Sequence, residues 1–295
     1  MYFSDVVRYD AHMDTRQLVF FDDLPSSFKE TLGKEFGDYS VALAYMKDGK
    51  ATGFHPVGSG VLARRENRFG IMTARHCIHE PGPEICLGPS GKDTLLLILR
   101  GGRGIQVKAH EVFEHNLANP QSEEFGPDLT FVEIVAGDRL DTFKAISSFW
   151  SLDQNPDEIY KAFGKVGTPI ARIGFPGLDY KTTIDGNCIE HAVRHMTYFF
   201  VIQNGDVFER AGWDYIESTC WYGGAEKLPG TFSGVSGGPV WGMQLSKDEE
   251  TGQFCLVKSA LIGINFYETG IQNDEQRLRG HFIKSIYEVA WKDLN

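Results

Sequence analysis

A serine set among glycines is the first feature of the sequence that could do chemistry. Residues 234–239 read Gly-Val-Ser-Gly-Gly-Pro, and glycine lets the backbone turn sharply on both sides of Ser236. A serine hydroxyl becomes a nucleophile when a base takes its proton, and nearby backbone N–H groups can stabilise the resulting oxyanion. The segment indicates either a catalytic serine or a glycine-rich hairpin turn.

A histidine at the end of an apolar run supplies a candidate base. Residues 73–77 read Thr-Ala-Arg-His-Cys and follow the apolar run 69–72. Imidazole titrates near neutral pH, so His76 held at a strand end could accept a proton. A single histidine is usually structural or exposed, and His79 is a rival. His79 lacks the small residues that precede His76, so we prefer His76.

An aspartate that opens an apolar run is the candidate partner of this histidine. Residues 127–132 read Pro-Asp-Leu-Thr-Phe-Val. A buried carboxylate at Asp128 could accept the imidazole N–H, fix the tautomer and stabilise the imidazolium. Outside this context, a turn aspartate before a strand would be the simpler explanation. Glu123, Glu124 and Glu133 are weaker candidates for the same role.

Together, in the order His76, Asp128, Ser236, these segments resemble the chymotrypsin and trypsin superfamily of serine proteases, including its bacterial HtrA-like branch. The three segments are similar to the family patterns T-A-A-H-C, D-[IL]-A-L-[LV] and G-[DN]-S-G-G-P. Arg75 and Val235 are the departures from the first and third patterns. The chain order of the three residues differs from that of subtilisins and α/β-hydrolases.

The resemblance covers roughly residues 40–295 and implies an all-β fold. The expected architecture is a chymotrypsin-like pair of antiparallel six-stranded β-barrels, with short helices near the two ends of the chain. Residues 1–39 would form an N-terminal extension. Residues 40–150 would form the first barrel, with the histidine and aspartate, and residues 151–295 the second barrel, with the serine and the C-terminal helix.

The same resemblance implies a serine endopeptidase that works through an acyl-enzyme intermediate, with the backbone N–H groups of Gly234 and Ser236 as its oxyanion hole. It also implies a set of substrate-binding positions: Gly230, Thr231, Phe266, Tyr267, Glu268 and Gly280. Glu268 would either hinder deep entry or attract a basic residue, or it would only face solvent. No cofactor and no metal are expected, because the histidines and cysteines lack ligand spacing.

Two departures from the family pattern bear on regulation. Cys77 matches a cysteine that secreted relatives bridge to an earlier one, but no cysteine precedes it here, so we expect a small buried thiol and no second nucleophile. Val235 stands where many relatives keep an aspartate that pairs with a new α-amino group after activation. We therefore expect constitutive order or activation by a protein partner.

Hydrophobic patterning predicts the elements that must position these residues. The predicted strands span residues 41–46, 58–63, 69–73, 94–99, 129–135, 170–175, 196–202, 239–243 and 256–266. Capping-box spacing predicts helices starting at Ser27 and Ser285, with a turn at Asp48-Gly49. The polar stretch 151–158 predicts a loop, and only the C-terminal end looks firmly helical.

Composition narrows the class of protein and its partners. The chain has 295 residues, 42% of them hydrophobic, and 33 glycines, which favours a β-rich globular protein. A net charge of −11 makes nucleic acid and anionic membrane surfaces poor partners. A protein or peptide substrate is what the family resemblance implies. Five dispersed cysteines and no secretory-type N-terminus lead us to expect a cytoplasmic protein.

Two other classes remain open from the sequence. One is a pseudoprotease, a double-barrel module that binds peptides without chemistry because its oxyanion hole is collapsed. The other is an unrelated β-rich interaction protein with chance motifs, in which Ser236 and His76 would lie far apart. A large distance between these two residues would indicate the interaction protein. A short distance would fit either a protease or a pseudoprotease.

Overall fold

The computed structural model describes residues 24–46, 54–79, 94–99, 104–118, 126–135, 137–175, 181–185, 188–192, 195–222 and 231–292. Within these residues the fold is predominantly β. It contains two antiparallel sheets, one of which curls into a half-barrel. None of the described helices is both long and apolar enough to cross a membrane.

The first sheet is built from the N-terminal half of the chain. Its eight strands are β1 (Ser40–Met46), β2 (Phe54–Arg65), β3 (Arg68–Thr73), β4 (Thr94–Leu99), β5 (Gly104–Lys108), β6 (Val112–Ala118), β7 (Leu129–Ile134) and β8 (Trp150–Ser151). The strand order is β5-β4-β1-β2-β3-β7-β6, with antiparallel neighbours, and the short β8 pairs in parallel with β2.

The C-terminal half supplies the other nine strands, which are β9 (Pro169–Gly174), β10 (Lys181–Asp185), β11 (Cys188–Ala192), β12 (Met196–Val201), β13 (Val207–Arg210), β14 (Trp213–Trp221), β15 (Pro239–Lys247), β16 (Phe254–Glu268) and β17 (Glu275–His281). Strands β10 and β11 form a separate hairpin. The other seven form the second sheet, in the order β12-β9-β15-β16-β17-β14-β13.

In the described part of the chain five α-helices accompany the sheets: α1 (Ser26–Gly37), α2 (His76–His79), α3 (Asp138–Ile146), α4 (Pro156–Phe163) and α5 (Ile283–Tyr287). The same residues include two short 3-10 helices, Ala109–Glu111 and Val289–Trp291. The helices near both ends of the chain were expected from the sequence.

All nine strands predicted from the sequence are present, and the prediction for 94–99 matches both ends of β4. The described sheets contain eight and seven strands, where six in each unit were expected. The turn predicted at Asp48-Gly49 lies outside the described residues.

The predicted helix starts are wrong. Helix α1 begins at Ser26, after Pro25, with no side-chain cap, so Ser27 lies inside the helix. Helix α5 begins at Ile283 because a distant residue caps it: both carboxylate oxygens of Asp214 accept backbone N–H groups, from Lys284 at 2.9 Å and Ser285 at 2.6 Å. A cap supplied from 70 residues away leaves no local signal.

Three of the described α-helices were not predicted, and the first of them is the single turn α2, which carries His76. Helix α3 falls in a stretch that the sequence left unassigned, and α4 replaces the second half of the predicted loop 151–158. The side chain of Asn155 caps α4 by accepting the N–H of Asp157 at 2.9 Å, and Pro156 occupies the first turn. Both residues are typical of a helix start, but the polar composition of the segment obscured them.

The largest hydrophobic cluster joins the two sheets. It includes Val61 and Phe131 from the first sheet together with Ile170 and Trp241 from the second. Helix α1 completes it, because the ring of Phe36 stacks on that of Trp241 with their centroids 5.1 Å apart. The two halves of the chain therefore share one interior.

Candidate active site

His76 and Asp128 meet because two neighbouring strands bring them together. Strands β3 and β7 are antiparallel, with Thr73 opposite Thr130, so the end of one strand lies beside the start of the other. His76 follows the first strand and Asp128 precedes the second. Nδ1 of His76 lies 2.5 Å from Oδ2 of Asp128, and the backbone N–H of His76 donates to Oδ1 at 3.0 Å.

This contact defines the chemistry of the imidazole. An ionised carboxylate only accepts hydrogen bonds, so Nδ1 of His76 carries the proton that it donates to Asp128. In the neutral ring Nε2 is then the basic nitrogen. The side chain of His76 is 29% exposed and that of Asp128 only 6%, so the imidazole can be reached while the carboxylate is shielded.

The two groups shift each other's pKa. Burial alone would lower the pKa of His76, but the adjacent Cys77 and the hydrogen bond to Asp128 outweigh it and raise the pKa above its usual value. Burial alone would raise the pKa of Asp128, yet the bonds from His76 keep it below the usual range. Each residue thus stabilises the charged form of the other.

Ser236 lies in a tight loop between two glycines with positive φ, Gly234 (φ 93°) and Gly237 (φ 81°). At Gly237 the reason is also steric, because a Cβ atom there would collide with the carbonyl oxygen of Ser59 and the hydroxyl of Thr73. The N–H of Gly237 donates to the carbonyl of Asn265 at 2.7 Å. The loop therefore packs between the two sheets.

The thiol of Cys77 lies beside both His76 and the backbone of Ser236. Sγ of Cys77 lies 3.9 Å from Nε2 of His76 and 3.4 Å from the carbonyl oxygen of Ser236. The same carbonyl accepts the N–H of Ser59, on β2, at 2.7 Å. Among the described residues, however, no side chain or backbone group forms a hydrogen bond with Oγ of Ser236.

Carbonyl groups of this loop accept hydrogen bonds from within the protein, while two of its backbone N–H groups have no acceptor among the described residues. Ser59 Oγ donates to the carbonyl of Gly234 at 2.5 Å, and the N–H of Val235 donates to the carbonyl of Phe232 at 2.8 Å. Within the part of the chain that the structure describes, the N–H groups of Gly234 and Ser236 have no acceptor. Val235 itself is buried.

A buried arginine supports the strand behind the loop. Arg172 is fully buried and donates to the carbonyl of Ile216 at 3.0 Å, the hydroxyl of Ser218 at 3.0 Å and Oδ1 of Asn265. Burial lowers its pKa to about 10. The backbone N–H of Asn265 donates in turn to Gly238 at 2.9 Å, so this network reaches the serine loop.

Five of the six residues expected to bind substrate lie in the described part of the chain, and not all of these five are accessible. Phe266 is buried, and Gly280 pairs with Asn265 at the centre of the sheet. Tyr267 is partly exposed. Gly230 lies outside the described residues, so the structure says nothing about it.

The side chain of Glu268 forms hydrogen bonds within the chain. The sequence alone left open whether this side chain faces the substrate cleft or solvent. Its carboxylate accepts the hydroxyl of Thr231 at 2.7 Å, the N–H of Phe232 at 2.6 Å and the side-chain amide of Gln276 at 2.9 Å. Because Phe232 in turn bonds Val235, the carboxylate of Glu268 helps to fix the approach to the serine loop.

Sequence reasoning gave no role to His281, which contacts the same site. Nε2 of His281 accepts the backbone N–H of Asp128 at 3.0 Å. The residue lies in a segment that resembles a family pattern, but nothing in that pattern marks its contact with a residue 153 positions away. Among the described residues, no group of three or more side chains could hold a metal ion.

No protein-family model matches the chain, and no curated protein matches it either.

Proposed function

We propose that the chain is a serine endopeptidase of the chymotrypsin-like double-barrel type, with Ser236 as nucleophile, His76 as general base and Asp128 as its orienting carboxylate. One observation carries the proposal: Nδ1 of His76 lies 2.5 Å from Asp128, while Sγ of the adjacent Cys77 lies 3.4 Å from the carbonyl of Ser236. The proximity of these dispersed segments supports the proposal, and the order of the three residues along the chain is the order that the resemblance implies.

In this mechanism Nε2 of His76 takes the proton from Oγ of Ser236 as the oxygen attacks the scissile carbonyl. The N–H groups of Gly234 and Ser236 donate to the oxyanion, and each such donor is worth about 3 kcal/mol. The protonated His76 then gives its proton to the leaving amine. Water hydrolyses the acyl-enzyme by the same route and restores the serine.

A protein or peptide substrate would pair with the end of β16 at Tyr267 as an added β-strand. It would lie beside Glu268 and Thr231, whose side chains bond each other. No cofactor takes part. Cys77, Cys220 and Cys255 are free thiols among the described residues, which supports a cytoplasmic setting.

A fluorophosphonate probe tests the proposal. The wild-type chain is expected to gain the mass of one probe molecule, and Ser236→Ala is expected to gain none. Ser246→Ala, a substitution at an exposed serine on β15, should label like the wild type. The proposal is wrong if Ser236→Ala labels as fast as the wild type.

A second candidate is a pseudoprotease that binds peptides without hydrolysing them. The observation that favours it is the missing hydrogen bond to Oγ of Ser236 among the described residues. Such bonds are often long in unliganded enzymes and tighten in the complex, so we rank this candidate second. It predicts no labelling of the wild type, and equal peptide affinity for the wild type and Ser236→Ala.

A further inference from the structure

His281 occupies the centre of the second sheet, where no solvent reaches it. It ends β17 and pairs with Tyr215 on one side and Ile264 on the other. Its side chain is fully buried. Aromatic rings surround it, with centroids 4.8 Å away at Phe266, 5.3 Å at Trp213 and 5.4 Å at Tyr215.

The contact of His281 with Asp128 links the two sheets at the site. Nε2 of His281 accepts the backbone N–H of Asp128 at 3.0 Å. A nitrogen that accepts carries no proton, so the ring is neutral with its proton on Nδ1. Burial lowers the pKa of His281 to about 4, which keeps the ring in this neutral form at neutral pH.

Burying this histidine costs folding free energy, which indicates that its acceptor nitrogen, Nε2, has a role. Nδ1 of His281 is buried and has no hydrogen-bond partner among the described residues. Buried polar atoms are rarely left unsatisfied, and an apolar ring would fit the aromatic surroundings without that cost. The histidine supplies an acceptor for the backbone N–H of Asp128, and an apolar ring could not do so.

Asp128 is the residue through which His281 would act. The N–H of Asp128 is fixed from the second sheet, while its two carboxylate oxygens accept the N–H and Nδ1–H groups of His76. The direction of the carboxylate therefore depends on where its backbone is held. A shift of Asp128 would lengthen the 2.5 Å contact, which is sensitive to small displacements.

We infer that His281 is a positioning residue, which holds the backbone of Asp128 from the second sheet and so sets the hydrogen bond between Asp128 and His76. The consequence for hydrolysis rests on the proposed function, whereas the effect on the hydrogen bond does not. His281 touches neither the proposed nucleophile nor the base.

Proton NMR of the full-length chain tests the inference through the Nδ1 proton of His76, which resonates at low field when bound to a carboxylate. His281→Phe keeps a ring and removes the acceptor, so the resonance should shift or vanish. His281→Gln places an amide oxygen near the position of Nε2, so the resonance should persist. Tyr215→Phe is the matched control, because Tyr215 packs on the same ring without touching Asp128.

The labelling rate with the fluorophosphonate probe gives a second readout. His281→Phe should label about tenfold more slowly, the effect of roughly 1.4 kcal/mol, while His281→Gln and Tyr215→Phe should stay within about threefold of the wild type. If His281→Phe does not fold, His281→Met provides a flexible apolar replacement for the same comparison.

An unchanged His76 resonance in a folded His281→Phe or His281→Met variant would overturn the inference, even if the variant were less stable. The inference would also be overturned if the His76 resonance and the labelling rate changed equally in these variants and in Tyr215→Phe. Such a result would show only general damage to the aromatic cluster. If the resonance responds as expected but no chain labels, the positioning role stands and the proposed hydrolase is wrong.

Discussion

The hydroxyl of Ser59 donates to the carbonyl oxygen of Gly234 at 2.5 Å, and the backbone N–H of Ser59 donates to that of Ser236 at 2.7 Å. One residue of the first sheet thus holds both ends of the segment that carries the candidate nucleophile. The amides of Gly234 and Ser236 remain without acceptors among the described residues, while the carbonyls of the same two residues are turned towards β2.

Ser59→Ala should disturb this arrangement. It removes the donor to Gly234 and leaves the N–H of Phe175, which donates to Ser59 Oγ at 2.9 Å, without its acceptor. A buried unsatisfied group costs about 1–3 kcal/mol, measurable by urea unfolding. Labelling by the fluorophosphonate should also slow about tenfold, the equivalent of roughly 1.4 kcal/mol.

Ser40→Ala is the matched control for Ser59→Ala. Ser40 is equally buried, and its hydroxyl donates to the carbonyl of Phe36 at 3.1 Å, away from the site. We expect Ser40→Ala to lose stability but to label at the wild-type rate. Equal labelling of both variants would contradict the role given to Ser59.

The pH dependence of labelling should follow His76. The base must be neutral to accept a proton, so the rate should be low below the pKa of His76 and rise as the pH increases through it. Because that pKa is raised, the midpoint should lie above the ordinary value of about 6.5. Asp128→Asn removes the carboxylate, and we expect the midpoint to move down.

Glu133→Gln controls for a general loss of negative charge. Oε2 of Glu133, on β7, lies 2.6 Å from Nε2 of His115, on the neighbouring β6. This variant should keep the wild-type midpoint in the labelling assay. A midpoint that moves equally in Glu133→Gln and Asp128→Asn would mean that the Asp128 contact is not the cause.

Glu268→Ala should loosen the approach to Ser236. The N–H of Phe232 would lose its acceptor at 2.6 Å and Thr231 its partner at 2.7 Å. We expect amide hydrogen exchange at Phe232 to accelerate about tenfold or more, since exchange reports local opening. Glu209→Ala is the control, because it removes an exposed carboxylate elsewhere on the second sheet. If hydrogen exchange at Phe232 accelerated equally in both variants, the role given to Glu268 would be wrong.

Acid should destabilise the fold through His281. Its pKa is about 4 in the folded chain and about 6.5 when unfolded, so the folded state resists protonation. The free energy of unfolding begins to fall as the pH drops below about 6.5, and the decrease is complete near pH 4. This decrease reaches about 3 kcal/mol. Asp128, whose pKa is lowered, weakens the fold only at still lower pH.

His281→Gln has no group that titrates in this window. Urea unfolding at a series of pH values should therefore show a flatter decline between pH 6.5 and 4 for this variant than for the wild type. Parallel declines would show that other groups cause the acid sensitivity.

Sequence patterning predicted the central strands well, because apolar runs of strand length leave few alternatives. The run 94–99 is buried at every position, as is most of β7. The neighbouring placement of His76 and Asp128 follows from the pairing of β3 with β7. These parts of the site depend on local pattern and on one strand pairing.

Strands with charged residues escaped prediction, because their charges are satisfied only by distant partners. Glu217 on β14 lies opposite Arg279 on β17, and the guanidinium donates to its carboxylate at 2.6 Å. Neither strand shows an apolar run. The contact of His281 with Asp128 and the cap of α5 by Asp214 were missed for the same reason, since each joins residues far apart in the chain.

The cluster that contains Phe36, Phe131 and Trp241 draws on both sheets and on α1. Neither half has a complete interior when separated from the other, so melting should be cooperative, as one transition for the whole molecule. A cavity made at Trp241, far along the chain from His76, would lower the folded population and with it the number of assembled sites. Damage at the shared interior would thus reduce the proposed activity without touching any atom of the candidate site.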